Sequence, residues 1–284
     1  MVKNFHTILI PIDFSINTET AINKALSMVP ADGCVIHLLH VQQIGTSNIL
    51  RYFMRLLKGY SWKQVKAAIK DSEGQLEALK SDIESTRSNI RAYSHVCYGD
   101  SIEDSIIKKA SNLGADLIVL GKSSHHSRFP QLNTVFPSRI AQLTGIPVLT
   151  AKPGSRDKEI KKIVLPINAE FPTNKVSIIK AIQGRNQIQI QVIIFSNDNI
   201  RKPFLKQSLL DIFETLKGQL AIPVKYIRLH GENKAKVLLA YSKSIDADMV
   251  IVHPGSETSL GGWANRHISD MLPAESKTVV LAVR

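Results

Sequence analysis

The chain has 284 residues, of which 44% are hydrophobic and 6% aromatic, and it carries a net charge of +12. This hydrophobic fraction supports a folded aliphatic core and excludes an intrinsically disordered protein. No apolar run approaches the ~20 residues that a membrane-spanning helix needs. The positive charge is spread over the chain without an aromatic and basic platform, so nucleic acid is not the expected partner.

The two cysteines, Cys34 and Cys97, have neither metal-ligand spacing nor the pattern of a disulfide framework. We expect them to be reduced thiols in a cytoplasmic protein. The first 15 residues are apolar but short, and Pro11 and Asp13 interrupt them. They therefore predict a first strand and not a signal peptide.

Strands and helices are predicted to alternate along the first half of the chain. Short apolar runs predict buried strands, and helical periodicity predicts the segments between them. Such alternation is typical of a parallel sheet with helices on both faces. The predicted strands are residues 6–13, 34–41, 91–98, 115–121 and 146–151, and the predicted helices begin after Ser15 or Asn17, run from Trp62 to about Thr86, run from Ser101 to about Asn112, and run from about Val135 to Gln142.

An insertion at about residues 42–64 interrupts this alternation with a helical pattern. Its apolar side chains are too numerous for a free, solvated helix. We expect the insertion to cover its own domain, the other half of the chain or a second chain. The apolar side chains are Ile49, Leu50, Tyr52, Phe53, Leu56 and Leu57.

The second half of the chain repeats the first after a stretch of Pro, Gly and mixed charge that is typical of a linker. The segment KKIVLPIN that follows the linker is similar to HTILIPID near the start. Three matching pairs are 132 positions apart, whereas Pro11 and Pro166 are 155 apart, and the difference of 23 matches the insertion. We therefore predict a duplicated domain, with domain 1 at residues 1–152, a linker at 153–160 and domain 2 at 161–284. The three pairs are Gly99 and Gly231, Asp116 and Asp248, and Val148 and Val280.

With this repeat, and with an Asp after the first strand and a Gly after the fourth, the chain resembles a tandem universal stress protein. The resemblance covers nearly the whole chain except the insertion and the linker. It implies two tandem doubly wound α/β domains, each a five-stranded parallel sheet with helices on both faces, of the adenine nucleotide alpha hydrolase-like type. It also implies that the fifth strands, residues 146–151 and 278–283, pair within one chain as a pseudo-dimer, and a homodimer of whole chains stays open. Such pairing would protect two sheet edges.

Nucleotide-binding members of that family have, after the fourth strand, a Gly, two residues, a Gly, nine residues and then Gly-Ser or Gly-Thr. Asp13 and Gly121 match the family pattern in domain 1, but Ser124, Thr134 and Val135 replace the second glycine and the closing pair. Glycines allow the backbone to approach phosphate oxygens, and the closing hydroxyl donates at a helix N-terminus. We therefore predict a diverged pocket that lacks high-affinity ATP binding.

Two further positions in domain 1 follow from the resemblance. Val41, with His40 before it, lies where the backbone of the family meets the adenine. Asp13 has two open roles, because its carboxylate can accept hydrogen bonds from a nucleoside or cap the helix that follows. The implied ligand is ATP or AMP, and no other cofactor is expected.

The same offsets in domain 2 lead to Asn168, His253, Ser256, Arg266 and His267, where the motif is lost. Three of these side chains are basic. Because a cation near a helix N-terminus is disfavoured unless an anion offsets it, they predict either an anion site or a surface cluster.

Other polar and aromatic positions have alternatives as well. His125 and His126 are interpreted as part of a solvated loop or as contacts for a metal or phosphate, and no carboxylate or cysteine lies beside them at ligand spacing. Trp263 is interpreted as a partner contact, a cover for a pocket, or a side chain that folds back onto its own domain.

The sequence contains no catalytic constellation: it has no GxSxG motif, Cys–His pair, metal-ligand spacing or true Walker A loop. The leading hypothesis is a cytoplasmic stress-response regulator that acts through a protein partner and through conformation, not through turnover. A second hypothesis is an adenine-nucleotide-binding protein with at most slow ATP hydrolysis, using Asp13, Gly121, Ser124 and Thr134. A third is a basic scaffold for a nucleic acid, a lipid surface or an acidic partner.

Overall fold

The computed structural model describes residues 4–43, 62–122, 132, 135–155, 158–167, 173–183, 187–195, 203–254, 272 and 275–284. Strands and helices alternate over most of these residues. In the first half they are β1 (Thr7–Ile12), α1 (Ile16–Met28), β2 (Cys34–Gln43), α2 (Trp62–Thr86), β3 (Ile90–Gly99), α3 (Ile102–Leu113), β4 (Leu117–Gly121), α4 (Pro137–Thr144) and β5 (Val148–Ala151). In the second half they are β6 (Lys162–Ile167), α5 (Thr173–Gln183), β7 (Gln189–Phe195), α6 (Pro203–Leu220), β8 (Val224–Leu229), α7 (Lys234–Ser244), β9 (Met249–Val252) and β10 (Val279–Ala282).

The ten strands of the described residues belong to one sheet, in the order β3-β2-β1-β4-β5-β10-β9-β6-β7-β8. The pairs within each half are parallel, whereas β5 and β10 are antiparallel, with Leu281 opposite Leu149. The predicted α/β fold is therefore confirmed, and the strands expected to pair within the chain do so. The domain and linker boundaries stay predictions.

Most predicted elements are present, with small shifts at their ends. β2 runs to Gln43 because it pairs with β3 over its whole length, from Cys34 opposite Ile90 to Gln43 opposite Gly99. The last helix of the first half begins at Pro137 and not at Val135, because proline fits the first turn of a helix, where its missing N–H is not needed. Most of the predicted insertion lies outside the described residues.

Two apolar layers cover the two faces of the sheet. Successive side chains in a strand point to opposite faces, so Ile8 and Ile10 join one layer and Leu9 joins the other. The first layer includes side chains of α1, α2, α5 and α6, and the second includes side chains of α3, α4 and α7. Both layers contain residues of both halves, so the core continues across the β5–β10 pair. Both described cysteines are free, Cys34 buried and Cys97 partly buried.

The two halves use the same carboxylate contact at matching positions. Asp116 Oδ2 accepts a hydrogen bond from the backbone N–H of Thr7 at 3.1 Å. Asp248 Oδ2 accepts hydrogen bonds from the backbone N–H groups of Lys161 and Lys162, at 2.9 and 2.7 Å. In each half, the residue before the fourth strand thus fixes the start of the first strand.

The segment between the halves is anchored on both sides. Lys24 of α1 is 2% exposed, and its ammonium donates to the carbonyl of Lys158. The Lys158 ammonium in turn lies 2.9 Å from a carboxylate oxygen of Asp246 and 2.9 Å from one of Asp248. The segment therefore connects the first helix of one half with the carboxylate that fixes the first strand of the other. None of the helices, over the residues described, has the length and apolar character needed to cross a membrane.

We expect Asp248→Ala to lower the free energy of unfolding by about 2–3 kcal/mol, because two partly buried backbone N–H groups and an ammonium lose an acceptor. Denaturant unfolding measures the change. Asp246→Ala is the matched control, because this carboxylate is 73% exposed and contacts the same ammonium; its loss should cost less than about 1 kcal/mol. Equal losses in the two variants would contradict this assignment.

Candidate functional site

The carboxyl ends of β1, β2 and β4 lie at one edge of the first half, where β1 pairs with β2 on one side and β4 on the other. In an open parallel sheet this reversal of strand order is the usual place for a ligand. Asp13 follows β1, Gly121 ends β4 and Val41 lies near the end of β2. The structure thus brings these three predicted site residues to one crevice. The side chain of Val41 is 3% exposed within an apolar layer, so this side chain is not available to a ligand there.

Asp13 organises the start of α1. Its Oδ1 accepts hydrogen bonds from the backbone N–H of Ser15 at 3.1 Å, the hydroxyl of Ser15 at 2.6 Å and the hydroxyl of Thr18 at 3.2 Å. Ser15 is the N-cap, because its Oγ accepts from the backbone N–H of Asn17 at 3.2 Å. Asp13 was expected either to contact a nucleoside or to cap the helix. The described contacts support a role at the start of the helix, although Ser15 makes the cap bond itself.

The other carboxylate oxygen of Asp13 is not used in this way. Among the described residues, Asp13 Oδ2 and Asn17 Oδ1 are buried acceptors without a hydrogen-bond partner. A buried acceptor without a partner costs free energy, and such groups are concentrated where a ligand or water completes the bond. The crevice therefore offers acceptors for a ligand that carries N–H or O–H donors.

Sequence reasoning did not identify a strained residue beside this carboxylate. Phe14 has a φ of 55°, the left-handed region that a residue with a Cβ rarely adopts. Its ring lies 4.7 Å from the ring of His40, and His40 Nδ1 donates to the carbonyl of Ile12 at 2.9 Å. Backbone strain of this kind is found at functional sites, where the surrounding contacts hold it in place. A phenylalanine between Asp and Ser gives no sequence signal for it.

Gly121 allows close backbone packing within the chain. A Cβ added to Gly121 would lie 2.0 Å from the carbonyl oxygen of Asn17. The first turn of α1 therefore crosses β4 so closely that only glycine fits there. This packing explains a glycine at the end of β4 without any phosphate contact.

A lysine beside this glycine holds the start of α4. Lys122 is 2% exposed, and its Nζ donates to the carbonyl of Val135 at 2.8 Å. The predicted site residue Val135 therefore has its backbone oxygen engaged by a cation of the chain, while its side chain is 1% exposed. Ser124 and Thr134, the other two predicted residues of this motif, lie outside the described residues. Sequence reasoning missed Lys122, because a lysine after a strand is normally solvated.

The N-terminus of α4 is occupied by a carboxylate of the chain. Glu103 Oε2 accepts the backbone N–H of Phe136 at 2.8 Å, and Glu103 Oε1 lies 2.8 Å from Arg139 Nη1. The Glu103 side chain is 8% exposed. A helix N-terminus attracts an anion through its free N–H groups and its dipole. In this chain Glu103 supplies that anion, which the sequence pattern did not indicate because Glu103 lies on α3.

The crevice of the second half is described only in part. His253 directly follows β9 and is partly buried. Lys175 of α5 is 6% exposed, and its Nζ donates to the carbonyl of Pro166 near the end of β6 at 3.1 Å. A cation thus lies at this edge of the sheet. Asn168, Ser256, Arg266 and His267 lie outside the described residues, as do His125, His126 and Trp263, so the predicted anion site stays a prediction.

A histidine pair lies in the first half, between β2 and β3. His37 Nδ1 and His95 Nε2 are 2.9 Å apart, and the ring of Tyr93 is stacked on His37. Burial lowers the pKa of His95 to about 4, and the charges of Lys109 and His37 add to the effect. Burial, followed by the charge of Lys109, also lowers the pKa of His37. Within the part of the chain that is described, no group of three or more His, Cys, Asp or Glu side chains is placed to hold a metal ion.

Comparisons with known proteins agree with this fold. The universal stress protein family matches residues 4–152. No curated protein matches the chain closely enough to count as a relative. A universal stress protein from Archaeoglobus fulgidus DSM 4304 is similar in structure over 99% of both chains, with 15% identity and a TM-score of 0.65.

Two other solved structures are similar over nearly the whole chain. The functionally unknown protein PA1789 from Pseudomonas aeruginosa PAO1 has 15% identity and a TM-score of 0.57, with 98% of this chain and 92% of that chain covered. The cytoplasmic domain of a prokaryotic cation chloride cotransporter has 12% identity and a TM-score of 0.55, with 97% and 94% covered. At these identities the likeness shows the fold alone.

We expect Gly121→Ala to destabilise the protein by about 3 kcal/mol, because the new methyl group overlaps the backbone of Asn17 and forces a backbone shift. Thermal or denaturant unfolding measures this loss. Gly74→Ala is the matched control, since an added Cβ on α2 has no neighbour within 4 Å; alanine there should stabilise the helix by up to about 1 kcal/mol. An unchanged stability of Gly121→Ala would show that the packing is looser than described.

The histidine pair predicts loss of stability in acid. The unfolded chain binds protons at a histidine pKa near 6.5, whereas folding lowers the pKa of His95 to about 4. The contribution of His95 to the free energy of unfolding is therefore complete above about pH 6.5 and is lost as the pH falls towards about 4. His95→Gln should flatten the decline of unfolding free energy in this window, while His6→Gln, at a half-exposed side chain, should leave the decline as it is. The same slope in all three proteins would contradict this.

Proposed function

Because the chain belongs to the universal stress protein family, we propose that it is a tandem universal stress protein that regulates by binding and not by catalysis. In this proposal the two halves of the sheet are duplicated domains whose nucleotide motifs have degenerated. The partner is another protein and the setting is the cytoplasm. A ligand or partner would act by favouring one arrangement of the chain over another.

The observation that carries the proposal is the internal use of the described motif positions. Gly121 makes room for the backbone of Asn17, and the carbonyl of Val135 accepts from Lys122. The helix N-terminus that follows already has the Glu103 carboxylate. A phosphate group at this helix would meet a negative side chain, and each missing charge-assisted hydrogen bond would cost about 1.5–3 kcal/mol. In the part of the crevice where phosphates would lie, these contacts therefore favour a structural role over ligand binding.

A second candidate function is adenine-nucleotide binding, with at most slow hydrolysis. It is favoured by the two buried acceptors without described partners, Asp13 Oδ2 and Asn17 Oδ1. Ribose hydroxyls or an adenine amino group would supply the donors that these oxygens lack. This candidate places the nucleoside at the end of β1 and leaves the phosphates weakly held, so it predicts that AMP binds about as well as ATP.

Thermal melting with ATP, with AMP and without ligand separates the two candidates. We expect no stabilisation at millimolar nucleotide, because the phosphate region is occupied by the chain itself. A ligand at about 100 times its dissociation constant would add about 2.7 kcal/mol to the free energy of unfolding. A clear shift with either nucleotide that Asp13→Ala abolishes, and that Asp32→Ala at an exposed carboxylate retains, would reject the leading proposal in favour of the second.

A further inference from the structure

A groove between α1 and α2 begins beside the Asp13 crevice, at Phe14, and continues along the two helices. It has a volume of about 580 Å³ and is lined by residues of both helices. Its walls include the apolar side chains Phe14, Ile22, Leu26, Leu79 and Ile83. Three of these, Phe14, Leu26 and Leu79, are only partly buried although they pack against the core layer. The first half thus leaves apolar helix surface uncovered at this groove.

The corresponding helices of the second half pack differently. There α5 and α6 pack directly against each other. Ile179 of α5 and Leu216 of α6 are both 0% exposed and belong to the same apolar layer. The second half has no counterpart of the insertion that the first half carries between its second strand and the helix that follows. The groove and the inserted sequence therefore occur together in the first half, whereas the described parts of α5 and α6 contact each other directly.

The rim of the groove is acidic, whereas the chain as a whole is strongly basic. Glu19 and Asp82 line the groove and are exposed. Residues 44–61, which lie outside the described residues, contain Arg51, Arg55 and Lys58 and no acidic residue. The same segment contains seven large apolar side chains between positions 49 and 57. Its charge and its apolar content both complement the groove.

Chain connectivity makes this segment available to the groove. It leaves β2 at Gln43 and joins α2 at Trp62. The carboxyl end of β2 and the start of α1, where Phe14 lines the groove, are at the same edge of the sheet. Because the segment is already attached at that edge, its docking in the groove costs less entropy than the binding of a separate partner would.

We propose that residues 44–61 dock in the α1–α2 groove of their own chain, with Leu56 and Leu57 among the apolar side chains that fill it. The basic side chains of the segment then lie against the acidic rim. The groove is in this way an intramolecular docking surface, and the insertion completes the apolar layer that the second half completes by direct helix packing.

Thiol labelling of the full chain tests the proposal. Ala78→Cys places a thiol in the groove, and Ser81→Cys places one on the exposed side of the same helix, outside the groove lining. Both are made with Cys34 and Cys97 replaced by alanine. We expect the groove thiol to react at least about tenfold more slowly, which corresponds to a docked state favoured by about 1.4 kcal/mol. Adding Leu56→Asp and Leu57→Asp should bring the two rates together.

A second pair of substitutions covers the case in which these aspartates prevent folding. Arg55→Glu with Lys58→Glu keeps the apolar side chains and reverses two charges, and we expect it to speed labelling of the groove thiol without changing the control thiol. Equal rates at Ala78→Cys and Ser81→Cys in the unsubstituted segment would overturn the proposal. Protection that depends on protein concentration would overturn it too, because a second copy would then fill the groove. Protection that survives both sets of substitutions would show that another part of the chain is the occupant.

Discussion

The antiparallel pairing of β5 with β10 is the constraint on which the rest of the molecule depends. Each half alone would end in a strand with an unpaired edge, and an exposed edge invites pairing with other chains. Pairing the two edges within one chain joins the halves into one sheet and lets both apolar layers continue across it. The buried Lys24 of α1, the partly buried Lys158 of the segment between the halves and the Asp248 carboxylate then help to position the second half on the first.

Much of this fold could be predicted, because its signals are local and are repeated in the sequence. Short apolar runs ending near Asp13, Gly121 and Ala151 mark strands, and matching residues at a constant spacing mark the repeat. The helix Trp62–Thr86 was predictable from one apolar stripe. The start of α4 was placed too early, because Val135 fits the helical pattern but lies before the proline that begins the helix.

The crevice was predictable in position but not in its contacts. Asp13, Val41 and Gly121 were placed at one edge by the strand pattern, and the structure brings them there. The contacts around them come from elsewhere in the chain: Asn17 of α1 lies against Gly121, Lys122 donates to the Val135 carbonyl, and Glu103 of α3 accepts from the N–H of Phe136. Such contacts depend on side chains that meet only after the sheet has formed, so no spacing in the sequence indicates them. Burial of Lys122 and Glu103 runs against the usual preference of charged residues for the surface.

Antiparallel joining of two parallel halves has a geometric consequence for partners. The strands of the second half run opposite to those of the first, so the Asp13 crevice and the edge beside His253 open on opposite margins of the sheet. A small ligand or a compact protein touching one margin has no direct access to the other. Small ligands bound at the two margins would therefore not contact each other.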